Sequence, residues 1–535
     1  LTHGDVLMHE QHANSCKILK LYASVMRVTN FATRSSLALA VLIGLSLFLP
    51  GCGSSHSSPP SVTPPPIPEI PEVRLSTDAF TNPGSQHATE VEPGAFAFGS
   101  TIVTAFQVGR IFGGGASDIG FATSTNAGKT WTSGLLPGTT VFQGGTWGAI
   151  SDPSVAFDGA HNVWMISSLL IAAKGKVGVS RSTDGLHWGN PILVSSTPDA
   201  DKNWIVCDNT PSSPFFGHCY IEWDDPGNKA LIWMSTSIDG GLTWKPALNT
   251  ADSASGIGGV PQVQPNGTVV VPIEGIAGSM LAFISTDGGA TWAQSTTISS
   301  IVDHQVAGGL RTDPLPSSAV DGAGKVYVVW EDCRFRTACV SNDLVMSTST
   351  DGIAWSAPVR IPIDATTSTA DHFLPGLGID PSTSGNSAHL GLTYYSYPTA
   401  NCVAATCALN ASFISSNDGG TTWNTPTLLA GPMTLSWLPN TFAGLMVGDY
   451  MSTVFAGGKA FPIFVSARAN SGTQFDEAVF TTPSGFAAAS ASQSVRRSAN
   501  ETAIPGARSD HPPRGYYDLD HEHRIRPPKK ALKRK

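Results

Sequence analysis

Charged and phenolic side chains fall at two recurrent places in this chain: just before a short apolar strand, and just after its hairpin partner. Before the strand stand Glu90, Asp152, Asp201, Lys202, Arg311, Asp313, Asp371, His372, Asp449 and Tyr450; after the partner stand Glu222, Asp224, Glu274, Glu331, Asp332, Arg334, Tyr395 and Arg468. Arg311, Arg334 and Arg468 are a candidate carboxylate clamp, because a guanidinium offers a carboxylate two parallel hydrogen bonds. Tyr450 beside Asp449 or Glu331 is a phenol–carboxylate pair, the arrangement of a base-activated nucleophile. These six form the candidate catalytic set. Asp201, Glu222, Glu274, Asp313, Asp332, His372 and Tyr395 are the candidate binding residues. No cofactor is required and no metal is assigned, with Ca2+ as an option for Asp201, Asp208, Glu222 and Asp224, since hard cations take carboxylate oxygens. The plainer alternative for each is a loop charge that is solvated or paired with its neighbour.

The elements that must position these groups are repeats. Six segments follow the template S-x-D-x-G-x-T-W, ending at Trp131, Trp188, Trp244, Trp292, Trp355 and Trp423, at intervals of 57, 56, 48, 63 and 68 residues. Asn126, Asp184, Asp239, Asp287, Asp351 and Asp418 hold the acid position. Such an acid accepts bonds from free amides in a tight turn, Gly supplies positive φ, and Thr-Trp re-enters a strand. An apolar hairpin precedes each segment, as in Pro316-Ser-Ser-Ala-Val-Asp-Gly-Ala-Gly-Lys-Val-Tyr-Val-Val-Trp330, and a seventh hairpin from Gly448 to Val465 has no such segment after it. The expectation is an all-β chain, a β-propeller of four-stranded blades, seven in number with six as the rival count. A strand near Val73 to Phe80 is expected to complete the last blade.

The template resembles the Asp box of the sialidase (bacterial neuraminidase repeat) superfamily, over residues 85–480. The resemblance implies that the boxes are structural and lie away from the active face. It implies an arginine triad, a Tyr–Glu nucleophile and an Asp acid/base at the opposite face. The triad's first arginine belongs to an Arg-Ile-Pro motif before the first blade. Here Gln86-His87-Ala88-Thr89-Glu90-Val91-Glu92-Pro93 stands at that place, and Arg360-Ile361-Pro362 follows the fifth box instead. The expected function is therefore binding of glycan or another polymer at the channel mouth. Glycoside hydrolysis of the exo-α-sialidase type and an envelope protein-docking scaffold are the alternatives.

The termini carry addresses. Residues 37–49 are an apolar run after Arg27 and Arg34, ending at Leu49-Pro50-Gly51-Cys52. The run is too short to span a bilayer and suits a signal peptide; its end resembles a bacterial lipobox, with Cys52 as the lipidated residue. Residues 1–51 are read as pre-sequence and signal, with an over-extended start before Met26. Residues 52–72 are read as a Pro/Ser-rich tether, 73–485 as the propeller and 486–535 as a basic disordered tail. The protein is expected to be exported, lipid-anchored to the outer membrane or cell surface, and monomeric. Export makes disulfides the default for the close pairs Cys207 and Cys219, Cys333 and Cys339, Cys402 and Cys407. Of a net charge of −9, the last forty residues carry +6 and the rest −15; an acidic body argues against nucleic acid as a partner.

Overall fold

The computed structural model describes residues 70–194, 199–487, 495–496 and 501–509. The expected signal, Cys52, the tether as far as residue 69 and the tail beyond 509 lie outside the described residues. The chain is all-β, with 48% strand and 4% helix, so hairpins carry the core.

Among the described residues, seven antiparallel units follow one another. The first comprises Ser85–Phe98, Thr101–Ile111, Ala116–Ser124 and Thr132–Leu135. The second comprises Ala149–Asp158, Val163–Ile171, Gly175–Ser182 and Ile192–Leu193. In the third, Asp201–Cys207, Cys219–Asp225 and Leu231–Ser237 pair, and Leu248 adds a bridge to Met234. The fourth has Gln262–Val263, Val269–Gly275, Ser279–Ser285 and Thr296–Ser300. The fifth has Ser317–Val320, Val326–Asp332, Asp343–Ser349 and Val359–Arg360. The sixth has Asp371–Ile379, Leu390–Tyr397, Ala408–Ser416 and Thr427–Thr434. The seventh has Ser452–Ala456, Lys459–Ala467 and Glu477–Thr481, and its outer partner is Val73–Arg74, with Val73 opposite Thr481. The strand expected from the N-terminal side thus pairs where the repeat needed one.

Strands such as Val163–Ile171 and Val326–Asp332 are buried along their whole length. Each sheet has neighbours on both faces, which is why these strands read as continuous apolar runs rather than as alternating patterns. The first strands of the seven units touch in chain order, and that of the seventh touches that of the first. One buried cluster joins Leu75 and Val91 to Tyr395, Phe413, Phe464 and Phe480, tying together the first, sixth and seventh units.

The repeat turns are closed by local hydrogen bonds. Asp239 Oδ1 accepts from the amides of Leu242 and Thr243 at 3.0 and 2.9 Å, and Thr243 Oγ1 donates to Oδ2 at 2.6 Å. Asp287 and Asp418 repeat this with Thr291 and Thr422. In the two shorter copies Asp184 and Asp351 serve the amides two and three residues on. Asn126 accepts from Thr130. The leading serine also acts: Ser124, Ser237, Ser285 and Ser416 each accept from the Gly amide four residues later. Each turn glycine lies against the preceding unit, Gly185 on Val103, Gly241 on Met165 and Gly289 on Tyr220, while Gly128 of the first unit lies on Phe461 of the seventh. A Cβ at Gly128 would stand 2.2 Å from the Phe461 ring, at φ 77°, so only glycine fits.

Part of the segment expected to be disordered is paired. Phe486–Ala487 joins Lys459–Ala460, and Val495–Arg496 joins Thr422–Trp423. Further on, the Ile504 amide donates to Arg334 O at 2.8 Å, Glu501 lies 3.6 Å from Arg360, and Ser509 Oγ donates to Asp303 at 2.9 Å. These bonds span the sixth and fifth units, a connection no local pattern encodes.

Candidate functional site

The first strands of all seven units line one cavity of about 520 Å3. Ala95–Phe98, Val155, Trp204–Cys207, Val260–Val263, Leu315–Val320, Leu374–Ile379 and Asp449–Phe455 supply its wall. Val, Leu, Pro and Phe dominate this wall. Trp204, Asp313, Leu374, Asp449 and Tyr450 stand at one end of it; Pro211, Pro265, Asp321 and Pro381 stand at the other.

The side chains at the first end are placed by backbone bulges. Glu92, Asp152, Lys202 and Leu374 have positive φ of 57°, 48°, 46° and 50°. The strand register slips at each of these points. A bulge turns a side chain out of the alternation of its strand, and non-Gly residues in this region store about 1–3 kcal/mol of strain, a pattern concentrated at functional sites. Three of the four precede proline, Glu92, Asp152 and Leu374, so a residue–Pro step at the start of a unit's first strand was the legible signal for this ring of residues.

Asp449 is the centre of the charge cluster. Arg311 Nε donates to its Oδ1 at 2.7 Å, and Arg311 Nη2 and Lys202 Nζ both contact its Oδ2. Lys202 Nζ also lies 3.7 Å from Glu92 Oε1, and its amide donates to Asp152 at 3.2 Å. Gln107 Nε2 bonds Glu92 and, at 3.1 Å, Ser151 Oγ, which donates in turn to Asp152 at 2.6 Å. Burial opposes the charge of Asp449, but Arg311 and Lys202 outweigh it and hold the carboxyl far below its usual range. Burial likewise opposes the Lys202 charge, and Asp449, Asp152 and Glu92 outweigh it, so its pKa rises above the ordinary lysine value. Burial pushes Glu92 up to about 8 against the pull of Lys202. Glu92 is therefore mostly a neutral acid at pH 7, while Asp449, Lys202 and Arg311 are ionised.

The candidate clamp is not assembled. Arg311 reaches the inner strand of the seventh unit through Asp449. Arg334 is drawn the other way: it bonds Asp332 at 2.7 and 2.6 Å, together with Ser299 Oγ and Ser300 O on the outer strand of the fourth unit. Arg468 is half-exposed, pairs with Glu72 at 3.0 Å and lies 5.0 Å from the Phe480 ring centroid. An acid close in space captured each arginine, and these acids lie in different units. The candidate nucleophile pair is not formed either. The Tyr450 hydroxyl donates to Pro153 O at 3.1 Å, rather than to Asp449 or Glu331. Burial, with Glu92, Asp152 and Asp449 nearby, raises its pKa well above the ordinary value, so it stays a phenol. Glu331 accepts from the Leu374 amide at 3.0 Å, and burial keeps it protonated well above the carboxylate range.

The candidate binding residues divide similarly. Asp313 lines the cavity and is half-buried. Asp201 is buried opposite Asp224, and Glu222 is buried against Gly259. Glu274 is half-buried on its strand. Asp332 serves Arg334, Trp330 Nε1 and the Val302 amide. Tyr395 exchanges bonds with Val465 O and N at 2.8 and 3.0 Å, bracing the sixth unit on the seventh. His372 is buried beside Asn342 O and 3.8 Å from Asp364, and burial lowers its pKa. These last three are structural braces, not cavity residues.

The four acids considered for calcium do not converge. Asp208 bonds Ser213 and the Thr210 amide at the far end of the strand that begins at Asp201, about 20 Å away. Asp343, Asp364 and His372 do approach one another within 4.8 Å. Arg336 and Arg360 already engage both acids, at 2.6 to 2.9 Å where Arg336 meets Asp343, so guanidinium groups stand against these carboxylates. All three disulfides are formed: Cys207–Cys219, Cys333–Cys339 and Cys402–Cys407.

No protein-family model matches the chain, and no curated protein matches it. Among solved structures it is similar to a protein of unknown function from Dyadobacter fermentans, with 16% identity over 65% of this chain and 99% of that one, at TM-score 0.40. It is similar to the Hadza microbial sialidase Hz136, with 12% identity over 77% of this chain and 95% of that one, at TM-score 0.39. An ulvan lyase of polysaccharide lyase family 25 gives 10% identity over 78% of this chain and 97% of that one, at TM-score 0.46. Sialidases and a polysaccharide lyase are thus among its structural neighbours, all at low identity, and likenesses of this grade assign no activity to the chain.

Proposed function

We propose that the seven units close into a propeller that holds a glycan chain at the Trp204–Tyr450 end of its central cavity, without turnover of the exo-sialidase type. The observation that carries this reading is the cavity itself. It is a concave, mostly apolar site with two half-buried aromatic rings and a few charged groups at one end, the usual make-up of a ligand site. The separation of Arg311, Arg334 and Arg468 removes the carboxylate clamp on which sialidase-type turnover rests. Display outside the cell through lipidated Cys52 is part of the same reading.

The test is a glycan array with full-length protein, followed by titration of any hit with Trp204→Ala. Binding that falls by about tenfold in the variant supports the site. An array without signal overturns glycan binding and leaves protein docking as the function. Release of the fluorophore from a fluorogenic sialoside, abolished by Arg311→Ala, would establish the hydrolase instead.

A further inference from the structure

Away from the Trp204–Tyr450 end, the wall of the cavity offers few hydrogen-bond partners. Its acids stand at the two ends, Asp313 and Asp449 at the mouth and Asp321 at the other. Between the ends it is lined by side chains such as Ala97, Val206, Val263, Ala319, Leu377 and Ile379.

Two features of the inner strands account for this. In the third to seventh units the first strand has a ladder partner on one side only, so its other edge would present bare amides and carbonyls. Pro93, Pro153, Pro261, Pro316 and Pro375 stand near the start of these first strands, and a proline has no amide to present. Polar side chains of the wall then serve the backbone of neighbouring units. Ser317 Oγ accepts from the Leu377 amide at 2.9 Å, Ser318 Oγ donates to Val260 O at 2.7 Å, and Ser452 Oγ donates to Pro93 O at 2.8 Å. Thr453 Oγ1 donates to Gly376 O at 2.7 Å, and Gln262 Nε2 donates to Ser318 O at 3.1 Å. These groups tie one unit to the next.

A sugar ring carried into this stretch would lose water at its hydroxyls and find few partners, a cost that grows with every hydroxyl. A hydrocarbon chain meets no such cost and gains from each methylene taken out of water. The mouth is different: Trp204 and Tyr450 stand there edge to face at 5.2 Å, beside charged groups. We infer that the ligand is an acylated saccharide. Its sugar lies at Trp204 and Tyr450, and its hydrocarbon chain runs into the cavity along Val206, Ala319 and Leu377. The sugar half of this inference rests on the glycan reading above.

Full-length protein is titrated calorimetrically with maltose and with octyl, decyl and dodecyl maltoside, each below its micelle-forming concentration. Each pair of added methylenes should tighten binding by about tenfold. Val206→Asp and Ala319→Asp each set a charge, which keeps its water, on the path of the chain. Each should weaken dodecyl maltoside by about tenfold or more and leave maltose unchanged, at a thermal midpoint near that of the parent. Affinity that does not change from maltose to the dodecyl glycoside overturns the inference and leaves glycan binding intact. So does a gain with chain length that both variants retain in full. Decanol binding as tightly as decyl maltoside would sink the glycan reading instead, because the sugar would then contribute nothing.

Discussion

Carboxylates at the repeat turns and carboxylates buried within the strands meet opposite fates. At the turns, Asp239, Asp287 and Asp418 lie near the surface, where the small cost of burial is outweighed by hydroxyl and amide donors, and their pKa values fall. Within the strands, Glu222, Glu331 and Glu477 are buried with little to offset the loss of water, and theirs rise well above the ordinary value. Asp449 is the exception that explains both: it is buried as deeply, yet two cations reach it and it stays ionised. Donors and counter-charges within bonding distance, not residue type, decide whether an acid here is a charge or a neutral brace.

The largest expected effect comes from breaking that exception. Asp449→Ala leaves Lys202 and Arg311 buried without their common partner, and should cost about 3–5 kcal/mol in urea unfolding. A loss below about 1 kcal/mol would mean that the cluster is hydrated and the contrast with the turns is smaller than drawn.

Glu90 sharpens the comparison through pH. Burial raises its pKa to about 7, against the lowering effect of Ser76 and Arg74. A raised carboxyl favours the fold below its unfolded value and loses that contribution as pH climbs through the folded one. Stability should fall between about pH 4.5 and 8 by up to about 3 kcal/mol from this group, and Glu90→Gln should flatten that slope. The turns slope the other way: with folded pKa values depressed, their contribution is present above the unfolded carboxylate range and lost in acid. Unfolding midpoints measured across pH for Glu90→Gln and for Asp287→Asn separate the two arms. Equal slopes in both variants and the parent would refute the contrast.

Turn acids carry smaller individual weights. Asp239→Ala removes two amide acceptor bonds and a Thr hydroxyl bond, and should cost about 1–2 kcal/mol by urea denaturation. The smallest effect is expected at Asp184, whose His187 partner is exposed: His187→Ala should change stability by no more than about 0.5 kcal/mol.

The turns were legible in the sequence because every bond that closes them spans two to four residues. Ser237, Asp239, Gly241 and Thr243 bond within a single loop, so types and spacing suffice. The complementary strand at Val73 was legible for a related reason, since the boxless seventh hairpin lacked an outer partner. The mouth was only half legible. Arg311, Asp449 and Tyr450 were singled out from their repeat positions, yet Arg311 meets Asp449 across 138 residues and Lys202 meets it across 247. Arg334 and Arg468 occupy positions equivalent by repeat, but nearby Asp332 and Glu72 hold them elsewhere. The tail from 486 was read as unpaired from its composition; its edge pairing at Val495 with Trp423 depends on a strand about seventy residues earlier.

What the sequence alone determined is the periodic part: apolar hairpins, Asp-Gly turns and the close cysteine pairs, all of them products of local bonding. What only the tertiary structure decided is the partner of each charge. Ion pairs form between groups that the succession of units brings together from distant positions, and burial then sets which of them remain charged.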